Sequence, residues 1–262
     1  MNMLKIALPD VAENANLVEL GHFRVHVKSS TSAITTDTNV LNFDARDAGL
    51  TIKIIGEGNF LQSDMTTVIP GDTMVLAGTN VYVSNGDYML DISNKYGVYR
   101  INLGTNLYID ASQDGVYPYL EFFKTTNEES NMDLASFKKS NSLQSINIQG
   151  SSIHGDVANL SGKNYLRYNT YTGCKDIVGD IASFGNCPLI ENLNLQRTGV
   201  SGSIESLGAC KNLANLTILG TSITGTLANL ATAMAANGRT SGTLTFQDVN
   251  GNWSSVSFPY NP

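Results

Sequence analysis

One short stretch of the sequence carries the residue types and spacing of a calcium-binding loop. In DASQDGVYPYLE, residues 110–121, oxygen-bearing side chains fall at positions 1, 3, 5 and 12 and a glycine falls at position 6, as in an EF-hand loop. The ligands of such a site would be Asp110, Ser112, Asp114 and Glu121. However, a strand pattern precedes the loop where an EF-hand has a helix, and Tyr117 and Pro118 replace an aliphatic and a small polar residue. The stretch therefore predicts a plain turn between two domains, with a calcium site as the alternative.

The other residues suited to catalysis or metal binding do not combine into a site. His22 and His26 share one face of a strand pattern, but no third ligand lies near them. The segment GEGNF, residues 56–60, resembles part of a phosphate loop but lacks the third glycine and the following helix, so it predicts a hairpin turn. His154 has no evident partner. Because no catalytic triad or carboxylate pair can be argued from spacing, we expect a non-enzymatic protein without cofactors.

Composition and charge exclude several classes of partner. The chain has 262 residues, a net charge of -7 and only 15% charged residues. It has no cluster of Lys and Arg that would neutralise phosphates, so nucleic acid is not an expected partner. No apolar run is long enough for a membrane span, and the N-terminus lacks the apolar core of a signal peptide. The expectation is a protein that stays inside its cell or leaves by virion assembly and lysis.

A glycine recurs at a nearly constant interval in the second half of the chain. Gly155, Gly179, Gly202 and Gly225 are 24, 23 and 23 residues apart. Apolar columns keep the same step, for example Leu143, Leu166, Ile190 and Leu213. A degenerate coil that lacks the glycine precedes them and contributes Leu120, Phe123, Thr125, Leu134 and Phe137. About five coils therefore run from about residue 118 to 230 and stack to build one continuous core.

These coils resemble the leucine-rich repeat family. The segments that carry the resemblance are LIENLNLQRTGVSGSIESL, NLANLTILGTSITGTLANL and SLQSINIQGSSIHGDVANL, with Thr or Ser where the family usually has Asn after the strand. The resemblance implies a solenoid in which neighbouring coils pair their strands into a parallel sheet. It covers less than half of the chain and leaves a regular Asn ladder in doubt.

The flanking segments complete a mainly β protein. Residues 1–16 predict an N-terminal arm, and the short alternating runs of residues 17–116 predict an antiparallel β-sandwich, with SNGD at 84–87 as a hairpin turn. Residues 117–262 form the solenoid with its C-terminal cap, in which a short helix ends at Gly238 and is followed by the strand TLTFQD, a turn and an extended tail.

The three cysteines are too few for a disulfide framework. Cys187 and Cys210 are one repeat apart and so stack on neighbouring coils. Buried free thiols are the favoured prediction, because cysteine often serves as a small core residue. A disulfide between Cys187 and Cys210 is the alternative.

The outward residues of the predicted parallel sheet form a neutral surface rich in amides and hydroxyls. Its three columns contain twelve residues: Ser145, Tyr168, Asn192 and Asn215; Asn147, Thr170, Asn194 and Thr217; and Gln149, Thr172, Gln196 and Leu219. One interpretation is a solubilising face whose side chains bond one another, and the other is a binding face for a protein or a glycan. Protein is the favoured ligand because glycan sites usually add stacked aromatic rings and only Tyr168 is present.

Together these features favour a structural or interaction protein. The chain resembles bacteriophage virion components such as head-decoration proteins, fibres and tail attachments, and its Asn/Thr/Gly-rich repeats are similar in style to leucine-rich proteins of gut Bacteroidetes and their phages. This resemblance implies a sandwich that anchors to the particle and a solenoid that contacts other virion proteins or further copies of itself, as a homo-oligomer or part of a larger assembly. The alternative is an adhesion module that recognises a host surface protein or glycan. An enzyme acting on polysaccharide is disfavoured because the three columns contain no carboxylate.

Overall fold

The computed structural model describes residues 23–29, 40–45, 51–55, 60–62, 64–69, 74–76, 80–83, 86–92, 98–110, 120–150 and 152–261. The predicted N-terminal arm, His22, and the ligand candidates Ser112 and Asp114 lie outside these residues. His26 lies in a strand, but its side chain is also outside the described set.

The described chain is dominated by β-strands. In chain order they are β1 (Phe23–Ser29), β2 (Val40–Ala45), β3 (Thr51–Ile55), β4 (Phe60–Leu61), β5 (Met74–Leu76), β6 (Val81–Val83), β7 (Gly86–Ile92), β8 (Val98–Leu103), β9 (Leu107–Asp110), β10 (Phe122–Thr125), β11 (Asn131–Asp133), β12 (Ser145–Gln149), β13 (Ser152–Asp156), β14 (Tyr168–Thr172), β15 (Asp176–Asp180), β16 (Asn192–Asn194), β17 (Gly199–Ser203), β18 (Asn215–Thr217), β19 (Ser222–Thr224), β20 (Thr243–Gln247) and β21 (Trp253–Ser257). The odd-numbered strands up to β19 form sheet A, and the even-numbered strands together with β21 form sheet B.

The chain switches sheet after every described strand from β1 to β19. In the N-terminal part the pairing is antiparallel, as predicted: β1 pairs with β7 and β9, β3 with β5 and β7, and β2 with β6 and β8. Residues 56–59, 84 and 85 of the two predicted hairpin turns lie outside the described residues, but the strands on either side do not pair as hairpins, because β3 and β4, like β6 and β7, belong to different sheets. Turn residues dictate that the chain changes direction, but they do not dictate which sheet receives the next strand.

Both sheets continue without interruption from the antiparallel strands into the repeats. At the junction β10 pairs with β8 in parallel, and β11 pairs with β9 in parallel. Every later pair up to β18–β20 is also parallel. The second half of the chain is therefore a solenoid of parallel strands, as the repeat predicts, whereas a separate N-terminal sandwich remains a prediction.

Each coil contains two strands and a short helical segment. The helical segments are η1 (Leu134–Phe137), η2 (Val157–Leu160), α1 (Ala182–Gly185), η3 (Ile204–Ala209) and, at the end, α2 (Leu227–Ala236). The repeat predicted the sheet B strand of each coil but no second strand at the glycine segment. That segment is a sheet A strand instead. Several of its outward positions hold Gly or Asp, which are depleted in strands and weaken the sequence signal.

The apolar columns line the interior between the two sheets. Leu143, Leu166, Ile190 and Leu213 have no exposed surface, and the residues assigned to the degenerate first coil are buried as well. Burial of a Leu or Ile side chain stabilises a fold by about 1.5–3 kcal/mol. This core confirms the columns and places a complete coil at residues 120–137.

The three cysteines lie in the core between the two sheets. Cys174, Cys187 and Cys210 are free and buried, so the alternative of a disulfide is wrong. Their thiols are donors to backbone carbonyls of the preceding coil, such as Cys210 Sγ to the Phe184 oxygen at 3.3 Å.

In the C-terminal cap, helix α2 is followed by Gly238 with a φ of 86°, as predicted. The predicted extended tail is strand β21, which pairs antiparallel with β20.

Candidate interaction surface

The strands of sheet B point every second side chain away from the core. All twelve residues of the predicted face lie on this outer side, which we call the B face. Parallel register aligns Ser145, Tyr168, Asn192 and Asn215 across four strands, and Asn147, Thr170, Asn194 and Thr217 form the next row. Adjacent strands are about 4.8 Å apart, so each row crosses about 14 Å of surface.

Most polar side chains of the B face have no hydrogen-bond partner within the described chain. Across neighbouring coils, one amide–amide bond joins Asn215 to Asn192, and Asn194 Oδ1 accepts the backbone N–H of Gln196 at 3.0 Å. The side chains that form no described hydrogen bond are those of Ser145, Asn147, Gln149, Thr170, Thr172, Gln196 and Thr217. The interpretation of a self-bonded ladder therefore fits only one pair of coils, and the remaining donors and acceptors are available to a ligand.

Tyr168 is fixed at the rim of the B face by a charged pair. Its hydroxyl donates to Glu191 Oε2 at 2.7 Å, while Arg167 Nη1 binds Glu191 Oε1 at 2.8 Å. The hydrogen bond to Glu191 raises the pKa of Tyr168, so the phenol stays protonated at neutral pH. The side chain remains 44% exposed and presents an oriented aromatic ring beside the amides.

Four residues that were not predicted extend the B face toward the N-terminus. Arg100 and Asn102 of β8 and Phe122 and Lys124 of β10 continue the two rows through parallel pairing. The Arg100 guanidinium lies 4.8 Å from the Phe122 ring centre. Together with Ser145, these residues line a groove of about 250 Å³. Phe122 and Lys124 lie one repeat step before Ser145 and Asn147, so the repeat columns could have predicted their place on the B face. The pairing of β8 with β10 could not be predicted, because β8 lies outside the repeat.

Asn102 contributes an unusual feature to this groove. Its side-chain oxygen is buried and has no hydrogen-bond partner in the part of the chain that the structure describes. A buried acceptor without a partner costs about 1–3 kcal/mol.

The calcium prediction remains untested by the geometry. Asp110 ends β9, and Glu121 Oε2 accepts a hydrogen bond from Gln144 Nε2 at 3.0 Å, which links the loop's last residue to the solenoid. Within the described residues, no group of three or more His, Cys, Asp or Glu side chains is arranged to hold a metal ion. His154 lies on the outer side of sheet A, with Nε2 3.9 Å from Asp133 Oδ2, and its Nδ1 contacts the Ser152 carbonyl oxygen at 3.0 Å.

Comparisons with known proteins provide a remote structural relative. No protein-family model matches the chain, and no curated protein matches it. Among solved structures, an internalin from Listeria monocytogenes matches 46% of this chain with 14% identity and a TM-score of 0.27. The match spans 39% of the internalin's length. A likeness this remote says nothing about what either protein binds.

None of the helices in the described ranges is long and apolar enough to cross a membrane.

Proposed function

We propose that this protein is a non-enzymatic interaction protein that binds a partner protein through the B face. The observation that carries the proposal is the set of seven hydrogen-bonding side chains on that face which have no partner of their own in the described chain. Six of the seven lie on paired strands and Gln196 follows β16 closely, so little backbone conformational entropy is lost when a partner orders them.

The charge of the B face specifies the kind of partner. Its central rows are neutral, and Arg100 and Lys124 place two cations at the N-terminal end beside the Phe122 ring. A matching surface is polar, offers amides or hydroxyls to the central rows, and places an acidic side chain over the groove at that end. Electrostatic complementarity of this kind mainly raises the association rate and fixes the binding register.

A virion is the setting that we propose for this interaction. The protein would serve as a head-decoration, fibre or tail-attachment component, with the N-terminal strands as a sandwich that anchors it and the B face directed to other virion proteins. The support is the acidic, cation-poor composition and the resemblance of the repeat style to leucine-rich phage proteins. Mass spectrometry of purified particles tests this placement, and absence of the protein from them would reject it.

An adhesion module that recognises a host surface protein or glycan is the second candidate. The observation in its favour is that Phe122 and Tyr168 flank Ser145 in one row, which adds a second aromatic ring to a face otherwise built from amides and hydroxyls. Stacked rings are what a sugar face requires. Glycan-array binding that is lost on combining Tyr168→Ala with Asn194→Ala would favour this candidate.

Self-association is supported by the C-terminal edge of sheet B. Among the described strands β21 has one neighbour, β20, and its Trp253 is 63% exposed. The strand contains no charged residue, whereas natural edge strands are commonly protected by charges or proline. An antiparallel pair formed with β21 of a second copy would satisfy the free edge and give a two-fold symmetric dimer.

Quantitative affinity capture tests the proposed use of the B face. Full-length wild-type protein is compared with Asn194→Arg on the B face and with Ser201→Arg on the exposed outer side of sheet A. A partner protein retained by wild type and Ser201→Arg, and lost with Asn194→Arg, supports the proposal. Equal retention by both variants rejects it.

A further inference from the structure

A second groove lies at the corner where each coil leaves sheet B and enters sheet A. It has a volume of about 530 Å³ and draws its lining from five successive coils. Its side chains are polar or charged, and four glycines form much of its floor: Gly150, Gly173, Gly199 and Gly220. Five coils spaced about 4.8 Å apart make the groove about 19 Å long from first to last strand, which suits an extended ligand.

Arg197 stands in this groove at a backbone position that favours glycine. Its φ is 57°, in the left-handed region, and the equivalent residues of the neighbouring coils are Gly173 and Gly220, with φ of 78° and 69°. Two coils thus have glycine at this position, which tolerates a positive φ. The coil between them has an arginine there, whose backbone is strained. Strain retained in a groove points to a use for the side chain. The Arg197 Cγ lies 3.3 Å from the position of a Cβ on Gly220, so its stem crosses the next coil.

The groove contains two cationic side chains without a described partner, although the protein carries a net negative charge. Lys175 and Arg197 both line it, both are exposed, and neither side chain forms an ion pair or hydrogen bond with any residue that the structure describes. Gln149 and Thr172, whose side chains are equally free of described partners, complete the set of donors. Glu128 lies at one end. Two cations flanked by an amide and a hydroxyl match a carboxylate or sulfate attached to a hydroxyl-rich chain.

We propose that this corner groove binds an acidic oligosaccharide. Arg197 and Lys175 would pair with its carboxylate or sulfate groups, and Gln149 and Thr172 would bond its hydroxyls. A peptide is the less suitable occupant, because the groove offers no aromatic or aliphatic side chain as an anchor pocket. It also offers no free strand edge for strand addition, since the strands around it are paired with the coils on either side.

The site is separate from the protein-binding use of the B face. Gln149 and Thr172 lie at the border of the two surfaces, but the charged residues Lys175 and Arg197 lie beyond the strand ends. Equal retention of the partner by the Asn194→Arg and Ser201→Arg variants, with intact oligosaccharide binding, would therefore reject the first proposal and leave this one standing.

Isothermal titration calorimetry with the full chain tests the proposal. The probes are hexasaccharides of hyaluronan (carboxylate) and chondroitin sulfate (carboxylate and sulfate), neutral chitohexaose, and a decaglutamate peptide. The key variant is Arg197→Gly, which removes the charge and relieves the backbone strain, so its melting temperature should equal or exceed that of wild type. Lys175→Ala is the second variant, and Lys139→Ala, which removes an exposed charge outside the groove, is the control.

The expected result is binding of at least one acidic hexasaccharide, weakened about tenfold or more by Arg197→Gly and by Lys175→Ala and unchanged by Lys139→Ala. Weakening at high salt should accompany it. The proposal is overturned if neither acidic hexasaccharide binds, if chitohexaose binds equally well, if decaglutamate alone binds, or if Arg197→Gly binds as wild type does.

Discussion

The carboxylate of Asp156 occupies the space that a Cβ on Gly179 of the next coil would need. It is held there because Oδ1 accepts the backbone N–H of Ala158 at 2.8 Å and so caps the helical segment η2. The same relationship joins Asp133 to Gly155 and Asp180 to Gly202. The glycines that define the repeat are therefore required by a contact between coils as well as by their positive φ. Gly155, Gly179 and Gly202 each make room for the capping carboxylate of the coil before it, whereas at Gly225 the same space is filled by the carboxylate of Glu205.

This relationship predicts a non-additive pair of substitutions. Gly179→Ala should lower the free energy of unfolding by about 2–3 kcal/mol, because an alanine is strained at a φ of 112° and its Cβ meets Asp156. Asp156→Ala should cost about 1 kcal/mol through the lost cap. Urea unfolding of both single variants and the double variant should show that the alanine costs less in the Asp156→Ala background. Strict additivity would contradict a direct clash.

Arg239 is predicted to hold the C-terminal cap together. Its guanidinium is buried, donates to the Leu213, Ser241 and Thr243 carbonyls, and lies 4.2 Å from the Phe258 ring centre. Arg239→Ala leaves buried acceptors without donors and should cost about 2–4 kcal/mol of unfolding free energy. Arg167→Ala, at an exposed arginine with a single carboxylate partner, is the matched control and should cost less than about 1 kcal/mol. Similar losses in thermal or urea unfolding for both variants would refute this role.

Burial of the thiols predicts a loss of stability at alkaline pH. Desolvation raises the pKa of Cys174 to about 11 and that of Cys210 to about 12, whereas a thiol in the unfolded chain titrates near about 8.5. Above the unfolded value the folded state binds more protons, so the free energy of unfolding falls as pH rises toward 11. Burial lowers the pKa of Lys163, which acts in the opposite direction, because there the unfolded state binds more protons.

The pH dependence can be assigned with two variants of opposite effect. Cys210→Ala should flatten the decline of unfolding free energy between about pH 8.5 and 11, and Lys163→Met should steepen it. Chemical denaturation at several pH values measures both slopes, and any loss through altered packing shifts the curves without changing their slope. Unchanged slopes in both variants would show that these groups are not buried as described.

The edge strand β21 allows a sharp contrast between neighbouring serines. Backbone bonds from Asp248 N to the Asn252 oxygen and from Phe258 N to the Gly242 oxygen fix which residues face β20. Because hydrogen-bonded pairs alternate in an antiparallel ladder, the Ser254 N–H points to β20 and the Ser255 N–H points outward. Ser255→Pro should keep the fold and abolish self-association in light scattering, whereas Ser254→Pro should damage the hairpin itself. A Ser255→Pro protein that associates as strongly as wild type would exclude this edge.

The solenoid part of the fold is predictable from the sequence because the spacing of its apolar residues repeats from coil to coil. The columns of Leu143 and Ile146 recur at a constant step, and a constant step requires equivalent environments in stacked coils. The B face follows from the same columns by alternation. The sheet A strands were not predicted because Gly155 and its equivalents are required by a contact with a carboxylate of the preceding coil. Such a contact between coils cannot be seen in the sequence of a single coil. Arg197 was missed because its significance lies in a backbone angle, and the β8–β10 pairing because it lies outside the period.

Site-specific photo-crosslinking tests the central claim most directly. A benzophenone side chain is placed at Thr170, in the middle of the B face, and in a matched protein at Ser201 on the outer side of sheet A. Each protein is irradiated in its native assembly, and the adducts are identified by mass spectrometry. The B-face proposal predicts a defined protein adduct at Thr170 that disappears when Asn194→Arg is added, with no comparable adduct at Ser201. An adduct at Ser201 with none at Thr170 would contradict it.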